Sequence, residues 1–222
     1  MNLLALDTAT DCCSVALLTA TGVLEDHRLA PRQHAALILP MIEGLLAQAG
    51  LARTALDVIA FGRGPGAFTG LRIAAGVAQG LALGLDRPVV AISTLAAMAQ
   101  ASGHARALAA LDARLGEVYF GAYARGDDGL VTAVVSDSLA PPGAVALPPA
   151  GWRGRGVGPG WAAHGEALHA RLGAHVEAVE PDVWPRAGAL AQLAAAAHAR
   201  GEAGSADRAL PVYLRDRVTH GA

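Results

Sequence analysis

The order of apolar segments in the first half of the chain restricts the fold more than any other feature of this sequence. Three strand-like runs, LLALDTA, CSVALLT and GVLEDHRLA, follow one another with only short turns between them. Helical and strand patterns then alternate, as RQHAALILPMIEGLLAQAG, LDVIAFG, residues 69–84, PVVAIS and TLAAMAQAS. A three-stranded meander followed by helix–strand crossovers predicts a ribonuclease H-like α/β lobe.

The second half repeats this order in a weaker form. Three strand candidates, ARALAALDA, GEVYFGAYA and LVTAVVSD, precede a region rich in Pro, Gly and Trp, and two helical patterns follow that region. We therefore predict an α/β fold of two ribonuclease H-like lobes, the second of them degenerate. The predicted lobes span residues 1–103 and 104–222, with a tail that is able to return to the first lobe.

Composition excludes several classes of function. The 222 residues carry a formal net charge of −2, which argues against strong direct binding of nucleic acid. All seventeen basic residues are Arg, so the chain has no lysine for a P-loop or a Schiff base. The two cysteines, Cys12 and Cys13, are adjacent, a spacing that rarely closes a disulfide. We expect a cytoplasmic protein with reduced cysteines and no membrane partner.

The segment GRGPGAFTGLR, residues 62–72, lies between a strand and a helix. It fits a G-x-G-x-x-A dinucleotide pattern, but the preceding meander and the missing acid after the next strand disfavour that site. Two interpretations stay open. The segment is a tight turn with Thr69 as helix N-cap, or it gives weak phosphate contacts from Gly64 and Gly66. The acid–threonine turn at Asp7 and Thr8 is a second candidate for phosphate contact.

Several stretches together resemble one family. They are LALDTATDCCSVAL, RQHAALILPMIEGLL, GRGPGAFTGLRIAAGVAQGLA, PVVAISTLAAMA, LDARLGEVY and the tail PVYLR. They are similar to the TsaB (YeaZ) family, the bacterial partners of TsaD in making threonylcarbamoyladenosine on tRNA. The resemblance implies the actin/Hsp70/sugar-kinase (ASKHA) architecture, which agrees with the predicted strand order.

The resemblance also implies that this chain is not an enzyme. The catalytic paralogue TsaD carries a His-x-x-x-His metal pair just after the strand that matches PVVAIS, and the corresponding positions here are Thr94 and Met98. A hydroxyl and a thioether do not replace two imidazoles on a metal. We therefore expect no catalytic residue and no metal site. The implied role is a scaffold that activates threonylcarbamoyl transfer to the adenosine beside the anticodon of ANN-decoding tRNAs.

The resemblance implies partners rather than cofactors. We expect a heterodimer with TsaD, which TsaE with ATP would join, a homodimer when the chain is alone, and tRNA contact only through the complex. No cofactor is expected to bind tightly, and ATP or ADP would act in the multi-subunit complex. The expected partner surface uses a first-helix apolar stripe and a glycine ridge on the second helix. Its residues are Leu37, Ile38, Met41, Leu45, Ile73, Gly76, Val77 and Gly80.

Two other functions stay open. An independent small-molecule kinase of the actin-like superfamily would need acids at a nucleotide cleft, for which Asp7 and Asp112 are the candidates. A glycoprotease-like peptidase is disfavoured by the missing metal pair.

Overall fold

A computed structural model describes residues 1–215 of the chain. The first half forms a five-stranded sheet in the order β3-β2-β1-β4-β5. Strands β1, β2 and β3 are antiparallel neighbours, whereas β4 and β5 run parallel to β1. This is the predicted order of elements. Its elements are β1 (Leu3–Asp7), β2 (Cys12–Thr19), β3 (Gly22–Leu29), α1 (His34–Ala49), β4 (Val58–Gly64), α2 (Phe68–Leu85), β5 (Val89–Ser93) and α3 (Thr94–Ala101).

The second half repeats the same topology. Its sheet has the order β10-β9-β6-β7-β8, with an antiparallel meander and two parallel strands on the other side of β6. The α/β fold of two ribonuclease H-like lobes is therefore confirmed. The elements are β6 (Arg106–Asp112), β7 (Val118–Arg125), β8 (Val131–Ala140), β9 (Gly154–Val157), α4 (Gly160–Leu172), β10 (Val176–Glu180) and α5 (Ala187–Ala199).

Helix α5 follows the second sheet in sequence but lies against the first. Its buried side chains Leu190 and Ala194 share a core with Leu3, Ala5 and Ala16 of the first sheet. Helix α3 packs with the second sheet, because Leu95 and Met98 lie in one cluster with side chains of β6. These two helices therefore join the halves of the molecule.

Helix α1 buries the apolar stripe that the sequence shows. Ile38, Met41 and Leu45 pack into the core with Leu4, Leu6, Val15 and Phe61. The prediction that this stripe belongs to the partner surface is wrong for Ile38, Met41 and Leu45, because these three side chains are buried in the core. Their spacing is the ordinary spacing of a core-facing helix. Leu37 is half-buried, and the helix ends at Gly50 in a left-handed conformation.

Helix α2 begins at Phe68, one residue before the predicted start. Its N-cap residue is Ala67, and no side chain among the described residues caps it, so the interpretation of Thr69 as N-cap is wrong. In residues 1–215, α2 is the one helix with the length and apolar composition to cross a membrane. Alanines along one side of this helix lie in the core beside the sheet; they are Ala74, Ala78 and Ala82. The length and composition of α2 are therefore only weak evidence that it spans a membrane.

Candidate functional site

The β1–β2 turn begins at a fully buried acid. Asp7 ends β1, and its Oδ1 accepts a hydrogen bond from the Ala9 amide at 2.9 Å. Its Oδ2 accepts one from the Thr94 hydroxyl at 3.0 Å. Burial raises the pKa of Asp7 to about 6, although both hydrogen bonds act in the opposite direction. The carboxylate is thus enclosed and bonded on both oxygens.

The glycine segment closes over this turn. The buried Thr8 hydroxyl donates to the Gly70 carbonyl at 2.7 Å, and the Ala67 amide donates to the Ala9 carbonyl at 2.7 Å. A Cβ atom on Gly66 or Gly70 would overlap the backbone of Ala9 or Thr8. These glycines therefore allow two turns, about sixty residues apart in sequence, to touch backbone to backbone.

The structure does not support phosphate contacts from Asp7 and Thr8, because both side chains are buried and bonded within the chain. Gly64 is also buried, with a φ of 106° that residues with side chains rarely adopt. Gly66 is half-buried and lies at the edge of an open cleft, so a contact from this residue stays a prediction.

That cleft, of about 1020 Å³, lies between the glycine segment and the second sheet. Asp112, which ends β6 as Asp7 ends β1, lines this cleft, and its side chain is 26% exposed. Asp112 Oδ1 accepts from the Arg114 amide at 2.8 Å and lies 3.1 Å from His164 Nε2. The Arg114 guanidinium lies 3.3 Å from Asp112 Oδ2. The acids at equivalent strand ends of the two lobes therefore differ, because Asp7 is fully buried whereas Asp112 is partly exposed to the cleft.

A second cavity, of about 350 Å³, contains a polar cluster that sequence analysis missed. Ser93 donates to Asp137 Oδ2 at 2.6 Å and also caps α3 by accepting from the Ala96 amide. The Tyr123 hydroxyl donates to Asp137 Oδ1. Burial, together with the Asp137 charge, raises the pKa of Tyr123 well above its ordinary value. The spacing of these three residues in the sequence does not predict the cluster, because they come from three separate strands.

The two positions that the resemblance aligns with the metal pair of TsaD lie in the core. Thr94 and Met98 are fully buried, and the Thr94 hydroxyl already donates to Asp7. Met98 packs against Gly158, where a Cβ would lie 2.5 Å from the methionine Cε. Within residues 1–215, the structure contains no group of three or more His, Cys, Asp or Glu side chains able to hold a metal ion.

The expected glycine ridge faces outward. Gly76 and Gly80 are exposed, and no atom of the described residues lies within 4 Å of a Cβ built on either. Leu83 beside them is 75% exposed, while Ile73 and Val77 are half-buried. This outer face of α2, residues Gly76, Gly80, Leu83 and Gly84, is called the α2 face below.

Full-length relatives decide the family. The chain is 39% identical over 227 residues to the tRNA threonylcarbamoyladenosine biosynthesis protein TsaB of Escherichia coli, and the alignment covers 98% of this chain and 96% of that protein. This chain belongs to the TsaB family. The TsaB of Haemophilus influenzae is also 39% identical, over 99% of this chain and 95% of its own length.

A solved structure and a family model support the same architecture for this TsaB-family chain. YeaZ from Pseudomonas aeruginosa matches with a TM-score of 0.87 at 46% identity, covering 96% of this chain and 99% of that one. A family model described as tRNA N6-adenosine threonylcarbamoyltransferase, TsaD, matches residues 24–152. That match begins in β3 and runs past β8, so the likeness of TsaB to TsaD extends over parts of both sheets.

Proposed function

We propose that this chain takes part in forming threonylcarbamoyladenosine on tRNA as a non-catalytic subunit that activates TsaD. Its membership of the TsaB family supports the pathway. The main observation in support of the non-catalytic role is the burial and bonding of Thr94 and Met98. Both are poor metal ligands, both are buried, and the one hydroxyl is bonded to Asp7.

The partner surface in this proposal is the α2 face. Glycine in a helix interior costs roughly 1 kcal/mol relative to alanine, so exposed glycines at four-residue spacing are unfavourable unless another element packs there. A flat helix surface without side chains allows a second helix to approach closely. TsaD, as a paralogue of similar architecture, would dock on this face, and a second copy of the chain would occupy it when TsaD is absent.

Nucleotide chemistry belongs to the assembly in this proposal and not to the isolated chain. Asp7 and Thr8, the acid–threonine turn, are enclosed, and the chain has no lysine to bind phosphate. ATP would act with TsaE in the complex, and tRNA would be held by the complex. Both buried cysteines are free, which fits a cytoplasmic protein.

A small-molecule kinase is the second candidate, because Asp112 places a carboxylate in an open cleft of about 1020 Å³. Turnover of ATP by the purified chain with a small acceptor would favour it. The zinc content of the purified chain and its cleavage of peptides test the peptidase alternative.

Reconstitution of the modification tests the main proposal. Unmodified tRNA is incubated with threonylcarbamoyl adenylate, TsaD, TsaE and ATP, with and without this chain, and the modified nucleoside is quantified. We expect modification to depend on the chain and the chain alone to form none. Modified nucleoside from the chain alone would show that it is catalytic. Full activity without the chain would show that it is not an activator.

A further inference from the structure

Residues 210–215, called the strap below, attach to the glycine segment of the first lobe. The Val212 amide donates to the Arg63 carbonyl at 2.8 Å. The Tyr213 ring lies 5.4 Å from the Phe68 ring, centroid to centroid. Arg72 stacks its guanidinium 3.7 Å above the Phe68 ring and donates to the Tyr213 hydroxyl at 3.0 Å. One backbone bond and one aromatic–guanidinium cluster thus hold this end of the strap.

The other end of the strap attaches to the second lobe. The Arg215 guanidinium donates to the Ala113 carbonyl at 2.9 Å and forms an ion pair with Glu117 at 2.6 Å. Ala113 and Glu117 belong to the turn between β6 and β7, about a hundred residues earlier in the chain. The Arg215 and Glu117 side chains are 15% and 27% exposed, so solvent screens this pair less than an exposed surface pair.

The strap also separates the two cavities. Pro65, Val212 and Leu214 line both the cleft that contains Asp112 and the smaller cavity that contains Ser93, Tyr123 and Asp137. The lobes are also joined through α3 and α5, whose side chains pack into shared cores, and through the hydrogen bonds of Ser93 with Tyr123 and Asp137. Because the strap is attached to both lobes, a change in the angle between them would have to break the contacts at one end of the strap.

We infer that the strap is a releasable latch that sets the width of the cleft between the lobes. Each attachment is a small number of polar or stacking contacts, not a continuous apolar core, so each can open without unfolding a lobe. Release joins the two cavities and exposes the Asp137 carboxylate to the cleft. The latch adds a conformational control to the proposed activator role and does not depend on that role.

Hydrogen exchange in the full chain tests the latch from both ends. Glu117→Gln removes the ion pair while keeping the side-chain shape, and Tyr213→Phe removes the hydroxyl bond to Arg72 while keeping the ring. Glu202→Gln is the control for the loss of an ion pair as such, because the Arg200–Glu202 pair also has a distance of 2.6 Å but is exposed and lies outside both cavities. Amide exchange is followed in peptides that cover residues 63–72 and 113–117.

If the strap is a latch, loosening one end should raise amide exchange at the other end. Glu117→Gln should raise exchange at residues 63–72, and Tyr213→Phe should raise it at residues 113–117, each by about threefold or more. Glu202→Gln should change neither segment. If each substitution changes exchange only beside itself, or if neither changes it, the strap is a set of independent local contacts and the latch is wrong. Melting curves confirm that both variants remain folded.

Discussion

Two groups of glycines within residues 62–84 have opposite surroundings. Gly66 and Gly70 are pressed against the β1–β2 turn, where a Cβ would overlap backbone atoms. Gly76 and Gly80, one to three helical turns further on, face open space. In the first group, glycine is required by the chain's own packing. In the second, nothing in residues 1–215 requires it, which supports the proposal that a partner packs there. The surroundings of a glycine therefore separate one that the fold needs from one for which we propose a role in docking.

Gly70→Ala should have the largest effect on stability. The new Cβ would overlap the Thr8 carbonyl oxygen, and moving either backbone would break the Thr8–Gly70 hydrogen bond. We expect the free energy of unfolding to fall by about 3 kcal/mol, the upper part of the range for overpacked sites. Urea unfolding followed by circular dichroism measures it. Wild-type stability would mean that the two turns are not in contact.

Asp7→Asn tests whether the Asp7 carboxylate is buried away from water in the folded chain. The folded pKa is raised from 3.8 to about 6, so the folded state binds this proton more tightly than the unfolded state does. Burial of the charge therefore lowers stability above pH 6, and this cost disappears as the pH falls below 4.

The Asn amide nitrogen cannot accept the hydrogen bond from Thr94, and this loss is the same at every pH. We therefore expect the stability of Asp7→Asn relative to wild type to rise by about 2–3 kcal/mol between pH 3.5 and pH 8, since one pKa unit corresponds to about 1.4 kcal/mol. Denaturant unfolding at both pH values gives the comparison. A stability difference between the two chains that is the same at both pH values would show that the folded state does not raise the pKa of Asp7.

Gly80→Ala should change stability in the opposite direction to Gly70→Ala. Since nothing described meets the added Cβ, only helix propensity changes, and the free energy of unfolding should rise by about 0.5–1 kcal/mol. Unfolding is measured at several chain concentrations, so that any effect on self-association is separated. A loss of stability that does not depend on concentration would mean that the α2 face is packed within the chain.

The sequence predicts the order of the first eight elements because each has a clear apolar period and a turn signal. It misses β9 and β10. Strand β9, GRGV, is only four residues long, and the rings of Trp152 and Trp161 occupy the space beside its glycines. A short strand of this composition has no periodic apolar pattern, so β9 could not be told from a loop in a region rich in Pro, Gly and Trp.

The candidate site was harder to predict than the fold. Asp7 and Thr8 have the residue types of a phosphate turn, but the glycine segment that covers them lies about sixty residues away, and sequence spacing carries no information on that contact. The stripe of Ile38, Met41 and Leu45 gave the same signal that any core helix gives. The strap coincides with PVYLR, one of the stretches that carry the family resemblance, and the sequence predicts a tail that is able to return to the first lobe. Neither signal indicates that the strap contacts both lobes.

Arginine at position 80 gives the most direct test of the claim that TsaD docks on the α2 face. Gly80→Arg would place a charged side chain in a close helix crossing, where it would be unpaired. Gly165→Arg is the control, because Gly165 lies in α4 of the second lobe and also has nothing described within 4 Å of a built Cβ.

The measurement is the yield of threonylcarbamoyladenosine on tRNA from TsaD, TsaE and ATP as each folded variant is titrated in. We predict that wild type and Gly165→Arg restore modification, whereas Gly80→Arg, monomeric by light scattering, does not. Full modification with Gly80→Arg would contradict the account, because the partner would then bind elsewhere and the open glycines of α2 would have no role in activation.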